Sequence, residues 1–169
     1  MLQLVALRKR GQSVGPLVAE GFAFLSATLE QALAYWQEIR GTSPCPRRDA
    51  LQPERIVSLW PHILMVDVIE DGNDYYVRLF GQKLVNTYGE QTGRKLSEAK
   101  VPDLVRERSR QLFDFCRTEA SPTYAYWQES APKRGHAVNV EALCLPLSSD
   151  GIVVDRMMSL NVNTRHEDQ

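Results

Sequence analysis

The sequence predicts an α+β domain built on a five-stranded antiparallel sheet. Three observations carry that expectation. An apolar stripe at helical spacing opens the regular part of the chain. Two β-rich runs follow, then helical segments, then three further β-rich runs, an order unlike the alternation that builds parallel sheets. Two of the joins are turn-forming strings: Glu70-Asp71-Gly72-Asn73-Asp74 and Ser149-Asp150-Gly151.

Residues 1–21 mix Arg8, Lys9 and Arg10 with Gly11, Gly15 and Pro16, show no sustained period, and read as a mobile arm. From Phe22 the apolar residues Leu25, Leu29, Leu33, Trp36 and Ile39 fall on one helical stripe, so residues 22–40 read as an amphipathic helix stopped by Gly41. The stretch 41–53 carries Pro44, Pro46 and Pro53 and reads as a tethered connector, followed by a helical turn from Pro53 to Leu59. Strands are expected at His62–Ile69 and Tyr75–Phe80, a short helix at Gln82–Tyr88, and a longer one at Pro102–Thr118 on the stripe Val101, Leu104, Val105, Leu112 and Phe115. Thr123–Gln128, Ala137–Leu147 and Ile152–Val162 complete the sheet, and 163–169 reads as a polar tail.

Composition narrows the function classes. The 169 residues carry Lys+Arg 20 against Asp+Glu 21, a net charge of -1, which argues against broad binding to nucleic acid or an anionic membrane. Hydrophobic residues at 43% and charged residues at 24% are those of a single globular domain. Three dispersed cysteines, Cys45, Cys116 and Cys144, suit a reducing compartment better than a disulfide framework. No apolar run reaches the roughly 20 residues of a membrane span. The first ten residues are basic only after their apolar stretch, the reverse of a secretory signal. A cytoplasmic protein is the expectation.

Several strings, taken in order, resemble a known family. They are Tyr35-Trp36 with Arg40-Gly41; Pro46, Arg48 and Pro53; the run from Tyr75 to Gly81; Tyr88-Gly89; Thr92-Gly93-Arg94; and Leu145-Pro146-Leu147-Ser148 with Asp150-Gly151. Together they are similar to a bacterial single-domain PAS-like family, found mainly in alphaproteobacteria and often described as a domain of unknown function. The resemblance implies a helical block on one face of the five-stranded sheet, and a sensory or signalling role. Trp36, Arg48, Arg78, Gly81 and Gly93 are its structural-motif positions. The family carries an acid two positions after the arginine matching Arg48; here that position is Ala50, beside Asp49.

No catalytic constellation accompanies these motifs, so the expectation is not an enzyme, with no metal and no cofactor. His62, His136 and His166 lack ligand spacing and read as surface or strand-edge residues instead of haem or zinc ligands. Cys116 does not sit in the string of flavin-binding relatives and reads as a buried structural thiol. Glu70, Asp71 and Asp74 read as solvated turn carboxylates. In the strand Tyr75–Phe80 alternation puts Tyr75, Val77 and Leu79 on one face, and the family pattern makes it the inner face. Arg78 then lies on the outer face, where the N-terminal helix would cover it and Asp49 could pair with it.

A fold of this type places a cavity between the inner sheet face and the helices. Tyr75, Val77, Leu79, Tyr88 and Trp127 are therefore the ligand-pocket candidates, against the alternative that such residues simply pack. The N-terminal helix carries surplus apolar residues, Phe24, Ala32 and Tyr35, which points to a homodimer through that helix. The sequence-level reading is a non-enzymatic PAS-like module that binds an unidentified signalling protein and a small molecule. Its rivals are a small-molecule enzyme in which Arg78 meets a His or carboxylate in a cleft, and a structural adaptor with a filled cavity.

Overall fold

A computed structural model describes residues 3–6, 26–130 and 137–165. The chain runs β1 (Gln3–Ala6), α1 (Ala27–Arg40), β2 (Ile63–Ile69), β3 (Asp74–Phe80), α2 (Gln82–Tyr88), α3 (Asp103–Glu119), β4 (Thr123–Ser130), β5 (Ala137–Ser148) and β6 (Val154–Arg165). The sheet order is β1-β4-β5-β6-β2-β3, with every neighbouring pair antiparallel. The five expected strands are all present, and the fold is the expected α+β.

Both faces of the sheet are covered. Along β5, Val140, Ala142 and Cys144 point to one side, and Leu143, Leu145 and Leu147 to the other. The first set joins Leu84 of α2 and Leu112, Phe113 and Cys116 of α3 in the inner core. The second set packs with Leu29, Leu33 and Trp36 of α1, together with Met158 and Leu160. Each fully buried Leu or Met contributes about 1.5–3 kcal/mol relative to an exposed one, so neither layer is dispensable.

Helix α1 begins where Ser26 caps it: the Thr28 amide donates to Ser26 Oγ at 3.2 Å, and the Ser26 amide donates to the buried Glu141 carboxylate at 3.2 Å. Phe22, Phe24 and Leu25 lie outside the described residues. Trp36 locks the helix down: it has no exposed surface, and its Nε1–H donates to the Pro146 carbonyl at 2.8 Å. Ala32 and Tyr35, read from sequence as surplus, are buried against the domain's own sheet. The face left outward is Ala27, Glu30, Gln31, Ala34 and Glu38.

Four expectations need correction. Gln3–Ala6, part of the expected arm, is an edge strand paired with Thr123–Tyr126. Four residues are too few to show a period, and their order comes from the free edge of β4. The tail expected from 163 is shorter, because the long β5 offers partners as far as Val138 opposite Arg165. The helical turn at Pro53–Leu59 is two 3₁₀ turns, Pro53–Arg55 and Val57–His62. Leu104 is exposed on α3, whose buried stripe keeps the expected Leu112 and adds Phe113 and Cys116.

The connector is tethered, as the prolines suggested. The Ser148 amide donates to the Pro46 carbonyl at 3.0 Å, and Arg47 bridges to Ser148 in parallel. Arg48 holds it further, with Nε 3.0 Å from Asp155 Oδ1. Position 50 is Ala, and the carboxylate that meets Arg48 comes from Asp155 of β6.

Candidate functional site

The irregularity that shapes the site lies in β3. Met65 pairs with Leu79, but Val66 pairs with Val77, so Arg78 is an extra residue bulged out of the ladder. A bulge shifts the two-residue alternation by one. Tyr75 and Val77 therefore face the inner core, Leu79 turns to the outer cluster beside Met65, and Phe80 turns inward instead. Leu79 is not a pocket residue, and Phe80 takes the place the sequence assigned to it.

A cavity lies between this inner face and the helices. The sheet contributes Leu64, Val77, Phe80, Trp127 and Asn161, and α2 contributes Leu84 and Tyr88. Helix α3 supplies Val105, Ser109 and Phe113, and the segment between α2 and α3 closes over with Leu96, Ala99 and Val101. The free volume is about 40 Å³, room for a few water-sized groups. Of the five pocket candidates, Val77, Tyr88 and Trp127 line it. Tyr75 does not: it is fully buried below the cavity, edge-on to Phe113 with ring centroids 5.1 Å apart. Its hydroxyl donates to Asp114 Oδ1, and burial followed by that carboxylate pushes the phenol well above its usual range.

Gln91 decides the shape of the closing segment and was not foreseen. It is buried, its Nε2 donates to the Gly89 carbonyl at 3.3 Å and the Lys100 carbonyl at 3.4 Å, and its Oε1 accepts the Lys100 amide at 2.9 Å. Between Glu90 and Thr92 it reads as an ordinary surface residue, so no local signal marks it. Asp74 has a similar role. It was expected to be a solvated turn carboxylate, yet it is buried and accepts from the Ser97 hydroxyl at 2.5 Å and the Ser97 amide at 3.2 Å. Burial raises its pKa, but the Ser97 hydroxyl, the Tyr75 and Ser97 amides and Arg110 outweigh that and hold it below the ordinary value. Glu70 pairs with Lys95, and Asp71 is exposed, as turn residues are.

The two motif glycines act for different reasons. A Cβ on Gly81 would lie 2.5 Å from the carbonyl oxygens of both Trp60 and Pro61, so the chain needs the space. Gly93 has φ +84°, a left-handed conformation, and its amide donates to the Val77 carbonyl at 2.8 Å. That bond, with the Val77 amide to Arg94 at 2.9 Å, lays residues 93–94 along the edge of β3.

On the outer face Arg78 occupies the side expected, but its partner is Asp67, not Asp49, which pairs with Arg47. Asp67 also takes Arg156 Nε at 2.6 Å and Arg48 at 3.6 Å. Burial raises the Asp67 pKa, and Arg156 and Arg78 more than offset this, holding it below the ordinary value. Arg78 is 54% exposed and is not covered by α1. This cluster sits on an open surface, on the opposite side of the sheet from the cavity.

Cys116 is buried as expected, its Sγ 3.4 Å from the Ser121 carbonyl and 3.5 Å from that of Cys144. All three cysteines are buried and none is in a disulfide. His62 is half-buried, with Nδ1 3.1 Å from the Asn161 carbonyl, while His136 and His166 lie outside the described residues. Among the described residues no group of three His, Cys, Asp or Glu is placed to hold a metal, and no helix is long and apolar enough to cross a membrane.

The antiparallel sheet thus carries α2, α3 and a small apolar cavity on one face and α1 on the other. A family model described as a PAS domain matches residues 25–160, and the chain belongs to that family. No curated protein and no solved structure matches the chain.

Proposed function

We propose that the protein is a non-enzymatic sensory and signalling module of the bacterial PAS type. It takes a small molecule into the cavity between sheet and helices and passes the signal to a partner protein in the cytoplasm. The observation that carries this is the cavity wall: apolar side chains from β2, β3, α2, α3 and β4, with Tyr88, Gln91, Ser109 and Asn161 as placed polar groups. Apolar pockets with a few polar groups are how small ligands are held. A free volume of about 40 Å³ means that a ligand larger than a few atoms enters by moving the closing segment 89–101. That movement is the signal, because a ligand shifts conformers only by binding one better than another.

The non-enzymatic reading draws support from Asp67. Its carboxylate is committed to three guanidinium groups on an open face, so Arg78 and a carboxylate do not share a cleft with the cavity. The three buried thiols, none in a disulfide, support a reducing compartment. The reading includes a homodimer through the outward face of α1, with Ala27 and Ala34 allowing close approach of two helices. Native mass spectrometry of the purified chain tests the module reading: a retained small molecule supports it, and a bare polypeptide from several hosts favours a filled structural adaptor. Light scattering that gives a monomer at micromolar concentration overturns the dimer.

A further inference from the structure

Beside the apolar cavity, and sharing Leu84 and Asn161 with it, lies a second recess of about 360 Å³. It is bordered by His62, Lys83 and Thr87 and floored by Asn161 and Asn163 of β6. We infer that this recess holds the carboxylate head of a short apolar acid whose tail occupies the adjoining cavity. The inference rests on the sensor reading and names the ligand class for it.

The charge of the recess is one-sided. Lys83 contributes a cation, and no carboxylate borders the recess among the described residues. His62 is set as a donor to the main chain, because the Asn161 carbonyl 3.1 Å away can only accept. Asn161 Oδ1 takes the Ser159 hydroxyl at 3.3 Å, which leaves the amide NH2 end for onward donation. Asn163 Oδ1 is shut away from solvent and accepts no hydrogen bond among the described residues. A carboxylate can only accept, so it gains from the amide NH2 of Asn163 and not from this oxygen. The chamber next door is walled mainly by apolar side chains and, among the described residues, holds no cation, so head and tail have separate places. An apolar molecule without a head uses only the chamber, and a head without a tail only the recess.

An NMR titration of the full chain compares hexanoate, hexanol and acetate, following the Trp127 indole and the Asn161 and Asn163 side-chain amides. Hexanoate is expected to move all three sets of signals and to bind at least about tenfold more tightly than hexanol, the increment of one charged hydrogen bond. Lys83 is exposed, so Lys83→Met leaves the fold intact. It is expected to bring hexanoate down to the affinity of hexanol, while Lys83→Arg keeps the difference. Equal binding of hexanoate and hexanol, or a preference indifferent to Lys83→Met, overturns the head-group assignment and leaves the cavity reading standing. Silence of Trp127 toward both tailed probes, with no retained ligand by mass spectrometry, overturns both.

Discussion

At the scale of single residues, side chains with one chemistry do quite different work according to what surrounds them. Asp49 is a surface partner of Arg47, whereas Asp67 neutralises Arg78 and Arg156 and sits near Arg48. Replacing it by Asn keeps the shape and leaves the guanidinium groups without their counter-ion. Asp67→Asn should lower unfolding stability by about 2 kcal/mol, read as a lower urea midpoint at unchanged slope. Asp49→Asn should change nothing measurable, since isolated surface pairs contribute little. The two glycines make a second contrast. At Gly81 an added methyl meets two fixed backbone carbonyls, so Gly81→Ala should cost about 2 kcal/mol or more. At Gly93 the added methyl has only Tyr76 Oη at 3.8 Å, so Gly93→Ala carries just the strain of its left-handed backbone, about 1 kcal/mol. Thermal unfolding of the pair in one buffer checks the ranking, and a larger loss at Gly93 would contradict it.

At the scale of elements, the strands and helices were readable wherever a period ran long enough. Helix α2 falls where it was expected, at Gln82–Tyr88 between Gly81 and Gly89, because both boundaries are local chemistry. The bulge at Arg78 was not readable, because a bulge is defined by the partner strand: only pairing with Met65 and Val66 reveals the extra residue. For the same reason Leu79 and Phe80 exchange faces relative to a simple alternation. Helix α1 gives the test at this scale. Trp36→Phe retains an aromatic ring but leaves the buried Pro146 carbonyl without its donor. The substitution should cost about 2 kcal/mol, and double-mutant analysis with Leu145→Ala should show coupling, since both lie in the layer between helix and sheet. Additive losses would mean that α1 is not anchored there.

At the scale of the whole molecule, ionisable groups set a pH response in two steps. Burial, then the nearby Lys83, hold the His62 pKa below its ordinary 6.5, although the Asn161 carbonyl works the other way. The folded state therefore prefers neutral His62: the stabilisation is complete above 6.5 and is lost as pH falls below it toward the folded value. Asp67, Asp74 and Asp150 are all held below the ordinary 3.8. Asp150 reaches about 2 because the Val153 and Ile152 amides and the Ser148 hydroxyl all point at its carboxylate. Their contribution is complete above 3.8 and disappears as pH falls through the lower folded values. Melting temperature against pH should thus fall first below 6.5 and again below 3.8, and His62→Gln should weaken the upper step alone. An upper step unaffected by His62→Gln would place it on another group.

The sequence by itself determined the order of helices and strands from α1 onward, the tethering of the proline-rich connector and the buried state of Cys116. Each follows from a period, a turn string or a residue's intrinsic preference, all of which act over a few neighbouring residues. Only the tertiary structure decided that Leu79 leaves the cavity and Phe80 enters it, that Asp67 takes Arg78, and that Gln91 and Asp74 are buried fasteners. It also brought His62 and Lys83 against Asn161 and Asn163, residues nearly eighty or more positions away in the chain. Those outcomes depend on which strand lies beside which, and pairing over long sequence distances leaves no mark in any short stretch of residues.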